Sequence, residues 1–223
     1  MKKLVLNFKA NLKLDEVNAN ILNYKKMGIQ DKIIVCPSNI YLKTFIDNGY
    51  KVCAQDLSIF NEGAYTGEVT ASQLKSIGVD YVLVGHYERR KYFKENDDIF
   101  SLKINHALKE DMKVIFCINS IDDLKKLKTI TSLKNVILAY EPIESIGTNY
   151  VKSCDDLKKD IAKIKEIIYN QYCCDIEVMY GGSVDDDNII ALSQISNCDG
   201  FLVSNAALSI DKILKIEEVI YNK

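Results

Sequence analysis

Three side chains that lie far apart in the chain, Lys9, His86 and Glu141, could together move a proton. Each follows a short apolar run: residues 4–8 lead to Lys9, 81–84 to Gly85-His86 and 136–140 to Glu141. A carboxylate can take a proton from carbon next to a carbonyl, a neutral imidazole can polarise the oxygen, and a cation can stabilise the resulting enediolate. Gly147, Gly181-Gly182-Ser183 and Ser204-Asn205 mark loops whose backbone N–H groups could cradle a phosphate. Taken singly, each has an ordinary reading. Lys9 could be a solvated loop charge, His86 a satisfied strand-end histidine, Glu141 a loop acid before Pro142, and the glycine pair a turn needing positive φ. What favours chemistry is their joint placement at the same end of their strands.

The elements that must hold them repeat in a simple pattern. Apolar runs rich in Val and Ile occupy residues 4–8, 33–36, 50–54, 81–84, 114–118, 136–140, 176–180 and 201–203. Continuous rather than alternating apolar character marks strands buried on both faces, hence a covered parallel sheet. Between them lie amphipathic segments with helical period at 15–26, 39–47, 71–77, 91–109, 122–128, 154–172, 186–195 and 209–221. Eight strands alternating with eight helices predict a closed (β/α)8 barrel, with an open doubly wound sheet as the structural alternative. In such a barrel the active site lies at the C-terminal ends of the strands, where the polar residues named above fall. Ser120, Ser153 and Ser209 are candidate helix N-caps.

Composition narrows the function classes. At 223 residues, 48% hydrophobic and 27% charged, the chain reads as one globular domain spanning residues 1–223. Twenty-nine basic against 31 acidic residues give a formal charge of -2, so no global positive field would attract nucleic acid. No apolar run approaches the ~20 residues that span a bilayer, and the amino terminus lacks a signal-peptide core, so a cytoplasmic protein without a membrane partner is expected. The seven cysteines are odd in number and lack CxxC spacing; Cys36, Cys53 and Cys117 sit in apolar runs as small hydrophobes, which suits reduced thiols. His86 and His106, the only histidines, are neither paired nor near a cysteine cluster, so no metal site is expected.

Several segments also resemble, in order, the signatures of the triosephosphate isomerase family. They are Asn7-Phe8-Lys9-Ala10-Asn11, Gln55 with Gly63-Ala64-Tyr65-Thr66-Gly67-Glu68, Gly85-His86-Tyr87-Glu88-Arg89-Arg90, Ala139-Tyr140-Glu141-Pro142, Ile146-Gly147-Thr148, Tyr180-Gly181-Gly182-Ser183-Val184 and Asp199-Gly200-Phe201-Leu202-Val203. The resemblance runs from the first strand to the eighth. It implies interconversion of dihydroxyacetone phosphate and D-glyceraldehyde 3-phosphate, a step of glycolysis and gluconeogenesis, with neither metal nor organic cofactor. It further implies Glu141 as base, His86 as electrophile, and Lys9 and Asn7 as binders of substrate and developing oxyanion. Gly147, Ser183, Ser204 and Asn205 would be phosphate-loop positions, with Glu88 and Thr66 supporting. The implied assembly is a homodimer in which the 60–68 loop carries Thr66 toward Lys9 of the neighbouring subunit, and a lid over 142–148 would close on bound phosphate.

The chain also departs from the family pattern. Tyr87 stands where serine is usual, so a bulky phenol must find room beside His86. Glu144 replaces the common lid tryptophan and, with the short chain, resembles the archaeal branch. Ser204-Asn205 replaces two glycines, Asn119-Ser120 replaces Gly-Glu, and the separation of His86 from Glu141 is shortened. Two rival functions therefore stand beside isomerisation of a triose phosphate: a barrel isomerase or lyase for another phosphorylated sugar, and a catalytically decayed barrel kept as a phosphate-ligand binding module.

Overall fold

Successive residues of a strand point to opposite faces, and in this protein both faces are apolar. In Lys113–Ile118, Val114, Phe116 and Ile118 pack with helix residues, while Ile115 and Cys117 join a cluster made only of strand residues. That second cluster, with Val5, Leu83, Met179 and Leu202 among its members, is the inside of a barrel. Two buried faces per strand explain why the sequence runs are continuous instead of alternating. The computed structural model describes residues 2–130, 132–145 and 152–221.

The strands are β1 (Lys3–Asn7), β2 (Ile33–Cys36), β3 (Lys51–Ala54), β4 (Tyr81–Val84), β5 (Lys113–Ile118), β6 (Val136–Tyr140), β7 (Glu177–Tyr180) and β8 (Gly200–Val203). Each pairs in parallel with its sequence neighbour, and β1 pairs with β8, so the barrel is closed in chain order. The helices outside are α1 (Leu14–Lys26), α2 (Leu42–Asp47), α3 (Ala71–Ser76), α4 (Tyr87–Phe93), α5 (Asp97–Lys109), α6 (Cys154–Tyr172), α7 (Ile189–Ser193) and α8 (Ile210–Tyr221). All-parallel strands bring every C-terminal strand end to one rim, which is what gathers β1, β4, β6, β7 and β8 around a common mouth.

Two helix expectations need correction. The segment 91–109 is two helices rather than one: Lys94 turns left-handed at φ +58 to end α4, and Asn96 Oδ1 accepts from Ile99 N at 3.2 Å to start α5. The break falls in the polar run Lys94-Glu95-Asn96-Asp97-Asp98, where Asn96 ahead of two acids marks a new helix start that helical spacing alone passes over. The segment 122–128 is a 3-10 helix, Ile121–Thr129, not an α-helix, and 39–47 opens with a 3-10 turn at Asn39–Tyr41 before α2. Ser153 caps α6 by accepting from Asp156 N at 3.1 Å, and Ser209 accepts from Lys212 N at 3.5 Å; Ser120 holds the cap position without a side-chain bond.

Candidate active site

Where β1 ends, the chain makes a strained turn. Lys9 has φ +51, a left-handed conformation that costs a residue with a Cβ of order 1 kcal/mol or more and persists only when its surroundings enforce it. The enforcing bonds are visible: Asn7 Oδ1 accepts from Lys9 N at 3.0 Å, and the Lys9 carbonyl accepts from Gln55 Nε2 at 2.8 Å and Ser38 Oγ at 3.1 Å. Asn7 is 3% exposed, so it anchors the turn from inside the barrel. The Lys9 ammonium is thereby sent across the mouth, where it meets Glu88 Oε1 at 2.7 Å.

Where β4 ends, Gly85 takes φ +73, and a Cβ there would meet Phe116 at 2.8 Å, so only glycine fits. His86 follows as the N-cap of α4, with Nδ1 accepting from Glu88 N at 3.3 Å. An Nδ1 that accepts cannot carry a proton, so the ring is the neutral tautomer with its N–H on Nε2. That Nε2 lies 3.7 Å from Glu141 Oε1, and Glu88 Oε2 lies 3.6 Å from Nδ1.

Glu141 stands at the end of β6 and is 3% exposed. Its Oε2 has no hydrogen-bond partner among the described residues, which leaves a lone pair available to a proton. Burial pushes the carboxyl above its ordinary range, and the Lys9 and Arg90 cations pull it only part of the way back. Its backbone is held by Asn119, whose Nδ2 donates to the Glu141 carbonyl at 2.9 Å. Arg90 braces the same region, donating to the Gly85 carbonyl at 2.6 Å and the Cys117 carbonyl at 2.5 Å. A Cβ on Gly181 would meet Glu141 Cγ at 2.9 Å. Neither Gly181 nor Gly182 needs positive φ, so the turn reading of this pair gives way to close approach of the catalytic-rim side chains.

These groups share two adjoining cavities. One, of about 360 Å³, is lined by Lys9, His86 and Glu141 on one side and by Ser183, Ser204 and Asn205 on the other. The second, of about 370 Å³, shares Lys9, His86 and Glu88 and adds Asn7 and Gln55. Asn205 has φ -62 and ψ -47, ordinary right-handed values, so replacing glycine at this position carries no backbone strain. Tyr87 opens α4 and lines the first of these cavities with its ring 5.5 Å from Lys91 Nζ. Thr66 is exposed and lines a separate cavity with Phe60, Tyr65 and Arg89, so within one chain it does not join the others. Gly147, and the lid beyond Ser145, lie outside the described residues. Gln55 was visible as part of a motif, but its hold on Lys9, like the roles of Ser38 and Asn119, needed the fold, because their partners are distant in sequence. Among the described residues the acids Asp185, Asp186 and Asp187 lie close together, and the first two are ion-paired with Lys212 and Lys215.

A closed (β/α)8 barrel with a buried carboxylate, a neutral imidazole and a lysine at its C-terminal rim defines a barrel enzyme built for proton transfer beside a carbonyl. The triosephosphate isomerase family model matches residues 2–220. The chain is 39% identical to the triosephosphate isomerase of Thermodesulfovibrio yellowstonii, over 87% of this chain and 86% of that one. It is 33% identical to those of Alkaliphilus oremlandii, over 97% and 99%, and Mycoplasma genitalium, over 97% and 97%. The chain belongs to the triosephosphate isomerase family and is an isomerase. Nothing in these matches favours a decayed binding module.

Proposed function

We propose that the protein interconverts dihydroxyacetone phosphate and D-glyceraldehyde 3-phosphate, with Glu141 moving the proton. The observation that carries this reading is the 3.7 Å approach of Glu141 to His86 Nε2 in a cavity they share with Lys9. Glu141 takes a proton from the carbon next to the carbonyl. The carbonyl oxygen gains the negative charge, and the His86 N–H and the Lys9 ammonium stabilise it as an enediolate. Protons exchange between the two oxygens, and Glu141 returns its proton to the neighbouring carbon, so the enzyme ends unchanged. Asn7 holds Lys9 in place, Glu88 orients Lys9 and His86, and backbone N–H groups at Gly147, Ser183, Ser204 and Asn205 receive the phosphate. The lid over 142–148 closes on that phosphate and keeps water from the enediolate. A coupled assay with glyceraldehyde 3-phosphate tests the reading; a folded protein without turnover refutes it.

The working unit is a homodimer, one domain per chain. Phe60 and Tyr65 stack at 4.0 Å on a loop where both are exposed, and Phe93, 62% exposed, lines the same cavity as they do. A second copy would cover these rings and bring Thr66 toward its neighbour's Lys9. Sedimentation that found a fully active monomer at dilute concentration would end this part of the proposal. A cytoplasmic setting agrees with seven free cysteines, four of them fully buried as core hydrophobes. No described helix is long and apolar enough to cross a membrane.

A further inference from the structure

The cavity that holds Glu141 also has a wall not used so far. Across the barrel from β8, residues Tyr87, Lys91 and Tyr92 of α4 line the same 360 Å³ space as Ser204 and Asn205. The Lys91 ammonium lies 5.5 Å from the Tyr87 ring and 5.2 Å from the Tyr92 ring, two π-faces that attract a cation and narrow where it can go. The two phenols also hold the Lys91 pKa above its ordinary value, so it stays charged.

Charge accounting sets Lys91 apart. The substrate of the reading above ends in a phosphate dianion, yet Ser183, Ser204 and Asn205 are neutral and Asp185 is already paired with Lys212 at 2.7 Å. Two lysines line the cavity. Lys9 is engaged by Glu88 at 2.7 Å, whereas Lys91 has no carboxylate within 4 Å among the described residues. We propose that Lys91 is a specificity-determining residue for this isomerisation, its ammonium meeting the substrate phosphate from the wall opposite Ser204 and Asn205. This rests on the functional reading above and adds a side-chain cation to a phosphate site otherwise made of backbone donors.

The test compares wild type with Lys91→Met, which keeps the chain length and removes the charge, and with Lys91→Arg. With glyceraldehyde 3-phosphate, Lys91→Met should raise KM about fivefold to tenfold with kcat within about twofold, and added KCl should shrink the difference by screening. Calorimetric titration with inorganic phosphate should show the same loss of affinity, and Lys91→Arg should restore both. KM and phosphate affinity within twofold of wild type in Lys91→Met would overturn the proposal, as would a fall in kcat at unchanged KM. A wild type that binds phosphate through Lys91 but turns over no glyceraldehyde 3-phosphate would overturn the functional reading while supporting the cation's role.

Discussion

Glu95, two residues past α4, and Glu141, at the end of β6, are 9% and 3% exposed, yet one is ringed by cations and the other, the proposed base, is not. Glu95 Oε1 receives Arg89 Nε at 2.9 Å, Arg89 Nη2 at 2.5 Å and Lys103 Nζ at 2.6 Å. Asp56 completes the group, 2.9 Å from Arg89 and 2.5 Å from Lys103, so two cations face two carboxylates. Among the described residues no cation sits within 4 Å of Glu141; His86 at 3.7 Å is neutral, and Lys9 is turned to Glu88. Burial raises a carboxyl's proton affinity in both places, and it raises that of Asp56 despite Lys103 and Arg89. The difference teaches what a buried acid is for: with cations on one oxygen, Glu95 locks elements together although its other oxygen is also open, whereas Glu141, without a cation on it, keeps the raised proton affinity that lets a carboxyl take up a proton and give it back.

The comparison breaks most sharply at Glu141. Glu141→Gln keeps the shape and removes the base, so turnover of glyceraldehyde 3-phosphate should fall at least ~10²–10⁴-fold, measured by coupled assay. The same variant should melt above wild type at neutral pH. A carboxyl whose folded pKa is raised binds its proton more tightly folded than unfolded, so stability falls as pH climbs from the ordinary carboxylate range through the raised value and stays reduced above it. Calorimetry showing Glu141→Gln less stable than wild type at pH 7 would mean the buried charge is better compensated than the geometry indicates.

Lys103→Met should do the reverse. It leaves Asp56 and Glu95 short of a cation, and breaking a buried pair from one side costs about 3–5 kcal/mol, read by urea unfolding, while kcat of the folded fraction stays within a few-fold. If stability fell by less than about 1 kcal/mol, the network would be incidental to the fold.

A pH profile sharpens the contrast further. kcat/KM should rise with pH as Glu141 loses its proton, with the midpoint of the acid limb above the ordinary glutamate value, and that limb should be absent from the residual activity of Glu141→Gln. A midpoint at or below the ordinary value would show that burial does not dominate at this carboxyl.

The smallest effect is expected at β8. Because Asn205 is already right-handed and any non-proline residue supplies a backbone N–H, changing both Ser204 and Asn205 to Gly should alter inhibition by a phosphate-bearing enediolate analogue by less than about tenfold, ~1.4 kcal/mol. A much larger loss would make the Ser204 hydroxyl or Asn205 amide a ligand in its own right.

Much was legible from residue order. Continuous apolar runs at 114–118 or 136–140 signal strands covered on both faces, eight of them alternating with helices imply a closed parallel barrel, and parallel strands oblige Lys9, His86 and Glu141 to share a rim. These are local signals, summed along the chain, and they survive without knowledge of distant contacts. The break at Lys94 leaves only a local mark, Asn96 ahead of two acids in the polar run 94–98, which helical spacing alone passes over. The state of the site was not legible. That Lys9 sits left-handed under Gln55 and Ser38, and that the Glu141 Oε2 is buried without a donor among the described residues, depend on groups dozens of residues away, while the His86 Nδ1 accepts from Glu88 only two residues on, in the turn that starts α4 and leaves the proton on Nε2. Sequence by itself determined which side chains reach the rim; only the tertiary structure decided their dihedrals, protonation and pairing, because those are set by neighbours that folding alone brings within a few ångströms.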